Sequence, residues 1–500
     1  MSSRAQQTLA AWQGFLNSSL EERLARHRHD GSETSLLALF HDAVETVPAY
    51  RSFLAAHGIA PRDVKTLTDF QGLPLMTKQN YMRAYPLAER CGGGDLSQCE
   101  MLAVSSGSTG TPMVWPRNLS HELDIAYRFE QVFHAFHAEQ RPTLAVVCFA
   151  MGSWVGGMFT AACCRHLAAK AYPITTVTPG NNKDEILRVV TELGPHYAQV
   201  VLLGYPPYLK DIIDSGRAAG LAWSRYRPKL VFAGEVFSEE WRALLCERIG
   251  AADPATATAS LYGTADGGVL GNETPLSINI RKFFATRPEL ARDVFGESRL
   301  PTLVQYDPLS RWFEVRDGTL VVSGDNGVPL LRYHIADKGG VIPYEEMMRV
   351  VAAADADQAG ELLRRSERGA WELPFVYLFG RADFTASYFG ANIYPENISV
   401  GLEQSEVCDW VSGKFVLQVV EIADRNEALS IKVELLPGIC GDESKSAVIT
   451  EAIVKQLRRI NSEFANYVPA EYQQPLVELK AHGDPEWFPA GVKHRYTRKA

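Results

Sequence analysis

"VSSGSTGTPMVW" (residues 104–115) sets Gly107 and Gly110 among four hydroxyl side chains, Ser105, Ser106, Ser108 and Thr109, ahead of Pro112. Glycine lets successive backbone N–H groups turn toward one point. Together with hydroxyl donors they make a concavity suited to an anion such as a polyphosphate. No G-K-[ST] follows the spacer, and Thr111-Pro112 stands where the lysine would be, so the loop is not of the Walker A kind. Taken alone, the stretch also reads as an ordinary polar turn.

Five further stretches follow in order: "FAGEVFSEE" (232–240), "LYGTADGG" (261–268), "LLRYHIADKGG" (330–340), "YLFGRADF" (377–384) and "PAGVKHRYTRK" (489–499). The ordered series resembles the adenylate-forming enzymes, which include acyl-CoA synthetases, firefly luciferase and peptide-synthetase adenylation domains. It looks most like the phenylacetate-CoA ligase branch, whose own signatures resemble "VPAYRSF" (47–53), "LPLMTK" (73–78) and "GANIYPENIS" (390–399).

The resemblance implies an α/β fold with a large N-terminal adenylate-forming domain of β-sheets flanked by helices, residues 1–382. A small mobile α+β C-terminal domain, residues 383–500, would carry the catalytic lysine loop. It implies ATP, Mg2+ and CoA as the cofactors and co-substrate, and a small-molecule carboxylic acid, aryl or arylacetic, as substrate. The resemblance implies CoA as the thiol acceptor, with a carrier-protein thiol or an amine as the alternative, and a degenerate nucleotide-binding homologue without turnover as the remaining one.

Residue by residue, the resemblance assigns Ser105, Ser106, Gly107, Ser108, Thr109 and Gly110 to the β- and γ-phosphates. Gly234, Glu235 and Val236 flank adenine, and Tyr262 stacks on it beside Gly263 and Thr264. Asp266 stands where the family has glutamate and implies a Mg2+ ligand, since a hard cation takes oxygen donors. Asp337 implies a carboxylate for the ribose hydroxyls, Arg381 a contact to ribose or phosphate, and Asp383 the hinge. Lys493, with Lys499 as a second register, implies the catalytic ammonium. Trp154, Tyr205 and Tyr208 are placed around the acyl group. Two departures stand in these motifs: Ala265 replaces a hydroxyl residue, and "RYHIAD" replaces the family's "RYRTGD".

Composition agrees with a small-molecule partner. Five hundred residues exceed what one core serves, and 46% are hydrophobic, which predicts two or three globular domains. A net charge of −9 offers no basic stripe, against a nucleic-acid partner or an anionic membrane surface. The eight cysteines include no C-x-x-C pair and no His at zinc spacing, so reduced and mostly buried thiols are expected. "SLEERLARHRHD" (19–30) stands where a signal peptide needs an apolar run, and a cytoplasmic protein is expected.

Residues 144–164, "LAVVCFAMGSWVGGMFTAACC", run without a charge for long enough to cross a bilayer. Three glycines and Ser153 interrupt them, and Arg165-His166 follow, which favours a buried strand entering a buried helix and no membrane partner. Leu36, Phe40, Ala43, Val44 and Val47 share one helical face that ends at Pro48. "YAQVVLLGY" (197–205) and "PKLVFAGE" (228–235) read as buried strands ending in glycine turns, where open α/β sheets gather ligands. Near the end, Leu429, Ile431, Val433 and Leu435 alternate with Ser430, Lys432 and Glu434 as in a half-exposed strand. Ile449, Ile453, Leu457 and Ile460 then mark an amphipathic helix.

Overall fold

A computed structural model describes the chain except residues 1–3, 29, 105–112, 154, 298–299, 382–385, 390, 422–426, 462–463, 466–467, 469, 490–493, 495 and 498–500. A short antiparallel pair, β1 (Met101–Val104) and β2 (Val114–Arg117), flanks the stretch 105–112. An eleven-stranded sheet follows. Its strands are β3 (Thr143–Val147), β4 (Ile174–Val177), β5 (Gln199–Gly204), β6 (Lys229–Ala233), β7 (Thr258–Thr264), β8 (Gly268–Asn272), β9 (Thr302–Gln305), β10 (Trp312–Arg316), β11 (Thr319–Gly324), β12 (Leu330–Ile342) and β13 (Phe375–Arg381). Their spatial order is β4-β3-β5-β6-β7-β8-β9-β13-β12-β11-β10.

Strands β4, β3, β5, β6 and β7 run parallel, and the remaining pairs are antiparallel. Helices crossing between parallel strands must cover both faces, which is why β3 and β5 are buried at every residue and, after Thr143 and Gln199 at their starts, run apolar without alternation. The uncharged run divides as expected into β3 and the helix Val155–Ala169. No described helix is long and apolar enough to cross a membrane. Pro48 ends the helix Ser32–Thr46 and also opens the next, Pro48–Ala56, at a first-turn position where its missing N–H costs nothing.

The last hundred or so residues build a separate core. Strands β14 (Ala386–Tyr388) and β15 (Ala391–Ile393) form a hairpin, and β16 (Val411–Glu421), β17 (Glu427–Leu435) and β18 (Leu476–Lys480) form a three-stranded sheet. Leu429, Ile431 and Val433 pack there against Ile449, Ile453 and Leu457 of the helix Glu443–Ile460. The other face of β17 departs from the half-exposed expectation, because Ser430 and Glu434 are also buried. The Glu434 carboxylate accepts from Ser412 Oγ at 2.5 Å and from the Gly483 N–H at 2.9 Å, with Lys414 Nζ at 3.3 Å. Partners from β16 and the turn after β18 thus replace water.

Strand β12 carries the strongest local constraint. Arg332 (φ +53°) and Ala336 (φ +61°) both take the left-handed conformation, which costs a side-chain-bearing residue about 1–2 kcal/mol. Arg332 is buried and pairs both ways with Glu314 on β10, Nε–Oε2 and Nη2–Oε1 each at 3.0 Å, and it also donates to the Leu73 carbonyl. Met76 then bridges Tyr333 as an added parallel strand residue, its N–H donating to the Arg332 carbonyl at 3.0 Å and its carbonyl accepting from the His334 N–H at 2.9 Å.

Breaking a buried pair leaves one uncompensated charge, whereas replacing both members by apolar groups is often neutral. Arg332→Leu is therefore expected to lower stability by about 3–5 kcal/mol, and Arg332→Leu with Glu314→Leu by much less. Urea unfolding of the two variants beside the parent checks this; equal losses in both would remove the pair from its role in β12.

Candidate active site

The site forms where β7, β8 and β12 meet. Gly234, at φ +88°, closes the turn after β6 and leads into Glu235 and Val236. Only glycine takes such a turn without strain. Tyr262 sits on β7 with its ring 6.5 Å from Phe313 in a stacked arrangement. Its hydroxyl donates to Asp337 Oδ2 at 2.7 Å, joining the aromatic candidate to the carboxylate candidate from β12. Asp337 in turn stands in register with Arg381 on β13, so these two backbones are neighbours.

Asp266 occupies the turn between β7 and β8, behind Gly263 and Thr264. A Cβ on Gly263 would lie 2.8 Å from the Gly268 carbonyl, so the hairpin closes only with glycine there. Thr264 Oγ1 accepts from the Gly267 N–H at 2.8 Å and tightens the same turn. Asp266 is buried, accepts from Tyr333 Oη at 2.5 Å and has Lys78 Nζ 3.4 Å away. The stitched segment through Met76 brings that lysine in from the start of the chain.

Arg117, at the end of β2, supports the turn. It is almost wholly buried, and its guanidinium donates to the carbonyls of Ala265 at 2.5 Å, Asp266 at 3.2 Å and Asn326 at 2.5 Å. Burial, reinforced by Arg311, lowers it to about 10, while Asp266 and Asp325 hold it up. It is still charged at neutral pH. Ala265, the first departure from the family motif, thus contributes its backbone oxygen to a fixed cation.

His334, another departure, faces elsewhere: its Nε2 lies 2.8 Å from Thr319 Oγ1 on β11. Ala336, which replaces the motif's glycine, keeps the left-handed backbone. The bulged strand aims Tyr333 and Asp337 at the β7–β8 hairpin despite the substitutions.

Two of the acyl candidates, Tyr205 and Tyr208, are not brought together. Tyr205 packs edge-on against Phe149 at 5.0 Å, in the core on one face of the sheet, and burial, with Glu235 nearby, raises its phenol. Tyr208 belongs to the core on the other face, around Leu202 and Phe232. Ser105, Ser106, Gly107, Ser108, Thr109, Gly110, Trp154, Asp383, Lys493 and Lys499 lie outside the described residues.

Three partners escaped the sequence reading. Tyr333 and Lys78 lay inside quoted motifs, "RYHIAD" and "LPLMTK", yet had no assigned role. Arg117 had only the signal of a charge inside an apolar strand.

Phenylacetate-coenzyme A ligase of Aromatoleum evansii is 25% identical over 210 residues, 42% of this chain and 45% of that protein. The match therefore spans less than half of that relative's length. No family model matches the chain. Among solved structures, 2-hydroxyisobutyryl-CoA ligase in its postadenylation state, in complex with R3-HIB-AMP, superposes with a TM-score of 0.66 at 16% identity, over 97% of this chain and 90% of that one. The chain shares that ligase's fold. An open conformation of the same ligase, in complex with 2-HIB-AMP and CoA, shares it with a TM-score of 0.53 at 16% identity, over 95% of this chain and 92% of that one.

Within that fold, Ala336 offers a direct test. Glycine at this position relieves about 1–2 kcal/mol of left-handed strain but adds chain entropy to the unfolded state, a loss of about 0.4–1 kcal/mol. Ala336→Gly is expected to raise stability by about 0.5–1 kcal/mol, read by urea unfolding. A destabilised variant would mean that the Ala336 methyl contributes packing that outweighs the strain.

Proposed function

We propose that the protein uses ATP to convert a carboxylic acid to an acyl-adenylate and then passes the acyl group to a thiol, that of CoA. The observation that supports this reading is the Tyr262–Asp337 hydrogen bond of 2.7 Å, which holds a stacking ring and a diol-binding carboxylate side by side. The A. evansii relative is a phenylacetate ligase, and Tyr205 against Phe149 offers an aromatic wall, so an aryl or arylacetic acid is the proposed substrate.

In the first step the carboxylate oxygen attacks the α-phosphorus and pyrophosphate leaves. In the second a thiolate attacks the acyl carbon and AMP leaves. Charge grows on phosphate oxygens in the first step, so positioning and electrostatic stabilisation supply most of the rate. Ser105 to Gly110 would hold the β- and γ-phosphates, with Lys78 contributing a cation from the stitched segment. Asp337 would accept from the ribose hydroxyls while Tyr262 covers the adenine.

Mg2+ fits this donor set. It binds through one or two carboxylates plus substrate phosphates and keeps several waters. The described residues offer the buried Asp266 and hold no cluster of three His, Cys, Asp or Glu. Asp266 would hold the ion, which supplies neutralisation of phosphate charge.

Residues 1–382 would form the ATP- and acid-binding unit and 383–500 a unit that turns about Asp383 between the two steps. Lys493 would then bridge carboxylate and phosphate oxygens in the first arrangement only.

Pyrophosphate release over a panel of carboxylic acids tests the reading. Silence across the panel, with ATP still bound, would leave a nucleotide-binding homologue without turnover. Adding CoA or a carrier protein to a productive reaction identifies the acceptor. Asp266→Asn is expected to slow adenylation by on the order of 10²-fold or more, and unchanged turnover would sink its assignment. Lys493→Ala should nearly abolish adenylate formation yet retain most of the transfer from a presynthesised acyl-adenylate. Equal loss in both half-reactions argues against alternation.

A further inference from the structure

The end of the chain is pinned to β16 and reaches back to the large sheet. The Leu417 N–H donates to the Tyr496 carbonyl at 2.7 Å, and Leu417 and Thr497 form a parallel bridge. His494 Nε2 lies 2.7 Å from the Phe415 carbonyl, and the Tyr496 ring packs 4.8 Å from that of Phe415. From this anchored position the Tyr496 hydroxyl donates to Glu235 Oε2 at 3.0 Å, in the turn after β6. Lys493 is three residues earlier in the chain.

Tyr496 can only donate in this setting. Burial, followed by the negative charges of Glu235, Glu396 and Glu403, pushes its phenol well above the ordinary range. A neutral phenol facing a carboxylate makes a charge-assisted hydrogen bond, stronger than a neutral pair.

Among the described residues, other polar contacts between the two bodies come from the helices Pro206–Ala218 and Glu239–Ile249 and from Ser238, which ends the turn after β6 and caps the second helix. Lys210 Nζ donates to the Val411 carbonyl at 2.9 Å, and Arg248 Nη2 donates to the Cys408 carbonyl at 3.1 Å and to Asp409 Oδ1 at 3.2 Å. Ser238 donates to Glu403. These attach the carboxyl-terminal body to the outer helices and to the far end of the turn after β6. Tyr496 attaches it to the start of that turn, at Glu235 between Gly234 and Val236, which connects its position to the candidate site.

We propose that Tyr496 is a positioning residue whose hydrogen bond to Glu235 registers the carboxyl-terminal body on the turn after β6 in the arrangement used for adenylation. The consequence for catalysis rests on the ligase reading above; the contact and its effect on arrangement do not. Once the body turns for thiol transfer, the bond is broken and contributes nothing, so its loss acts on one half-reaction.

The experiment uses the full chain with spin labels on Cys440, the cysteine that is exposed, and on a cysteine introduced at the exposed Thr191. Loss of a hydrogen bond to a charged group is expected to lower the docked-to-undocked ratio by about tenfold in Tyr496→Phe and in Glu235→Ala. The double variant should be no worse than either single one, because both remove the same bond. With phenylacetate and ATP, Tyr496→Phe should slow adenylate formation by about tenfold, while transfer from presynthesised phenylacetyl-adenylate to CoA stays within about twofold.

Label distances unchanged in Tyr496→Phe would overturn the proposal. Equal loss in both half-reactions would also overturn it, since a merely structural tyrosine acts that way. A parent protein that forms no adenylate from any acid would reject the ligase reading alone, and the label distances would then decide the contact.

Discussion

The two-pronged pairing of Arg332 with Glu314 is the constraint on which the site depends. It anchors β12 at a residue whose backbone is left-handed, and a second left-handed residue follows at Ala336. A regular strand alternates its side chains between the two faces. Two bulges in one short stretch re-aim that alternation, so that Tyr333 meets Asp266 and Asp337 meets Tyr262. The strain of each bulge, about 1–2 kcal/mol, persists because the pair, the Leu73 carbonyl and the Met76 bridge over-determine the backbone.

The charge arrangement follows from that geometry. Asp266 is buried, a state a carboxylate tolerates only with partners, and it has a phenol donor and an ammonium group. Arg117 works through carbonyls, which places a cation against the turn without consuming the carboxylate. On the proposed reading, cations and donors stand arranged before a phosphate arrives. Such preorganisation is worth more in a buried site than in water, because nothing has to reorient when charge develops.

Much of this was legible in the residues, for identifiable reasons. Buried parallel strands read as continuous apolar runs, and β3, β5 and β6 were found that way. Gly234 was marked by its place after a strand, and its φ of +88° gives the physical cause. Tyr262 and Asp337 were named as separate motif positions 75 residues apart; nothing in the spacing said that they share a hydrogen bond. The alternation of β17 misled in one respect, because Glu434 looked exposed by period and is buried by partners from β16 and the turn after β18.

The sequence by itself determined the elements: which runs are apolar, where glycine permits a turn, and the order of the motifs along the chain. Those properties depend on neighbours within a few residues, so they are written locally. Tertiary structure alone decided which distant groups meet: Lys78 beside Asp266, Arg117 against Ala265, Tyr205 and Tyr208 on opposite faces, and Tyr496 against Glu235. Each of these depends on how a strand is bulged, stitched or capped by a remote segment, and a displacement of an ångström or two breaks a hydrogen bond while leaving the motif unchanged.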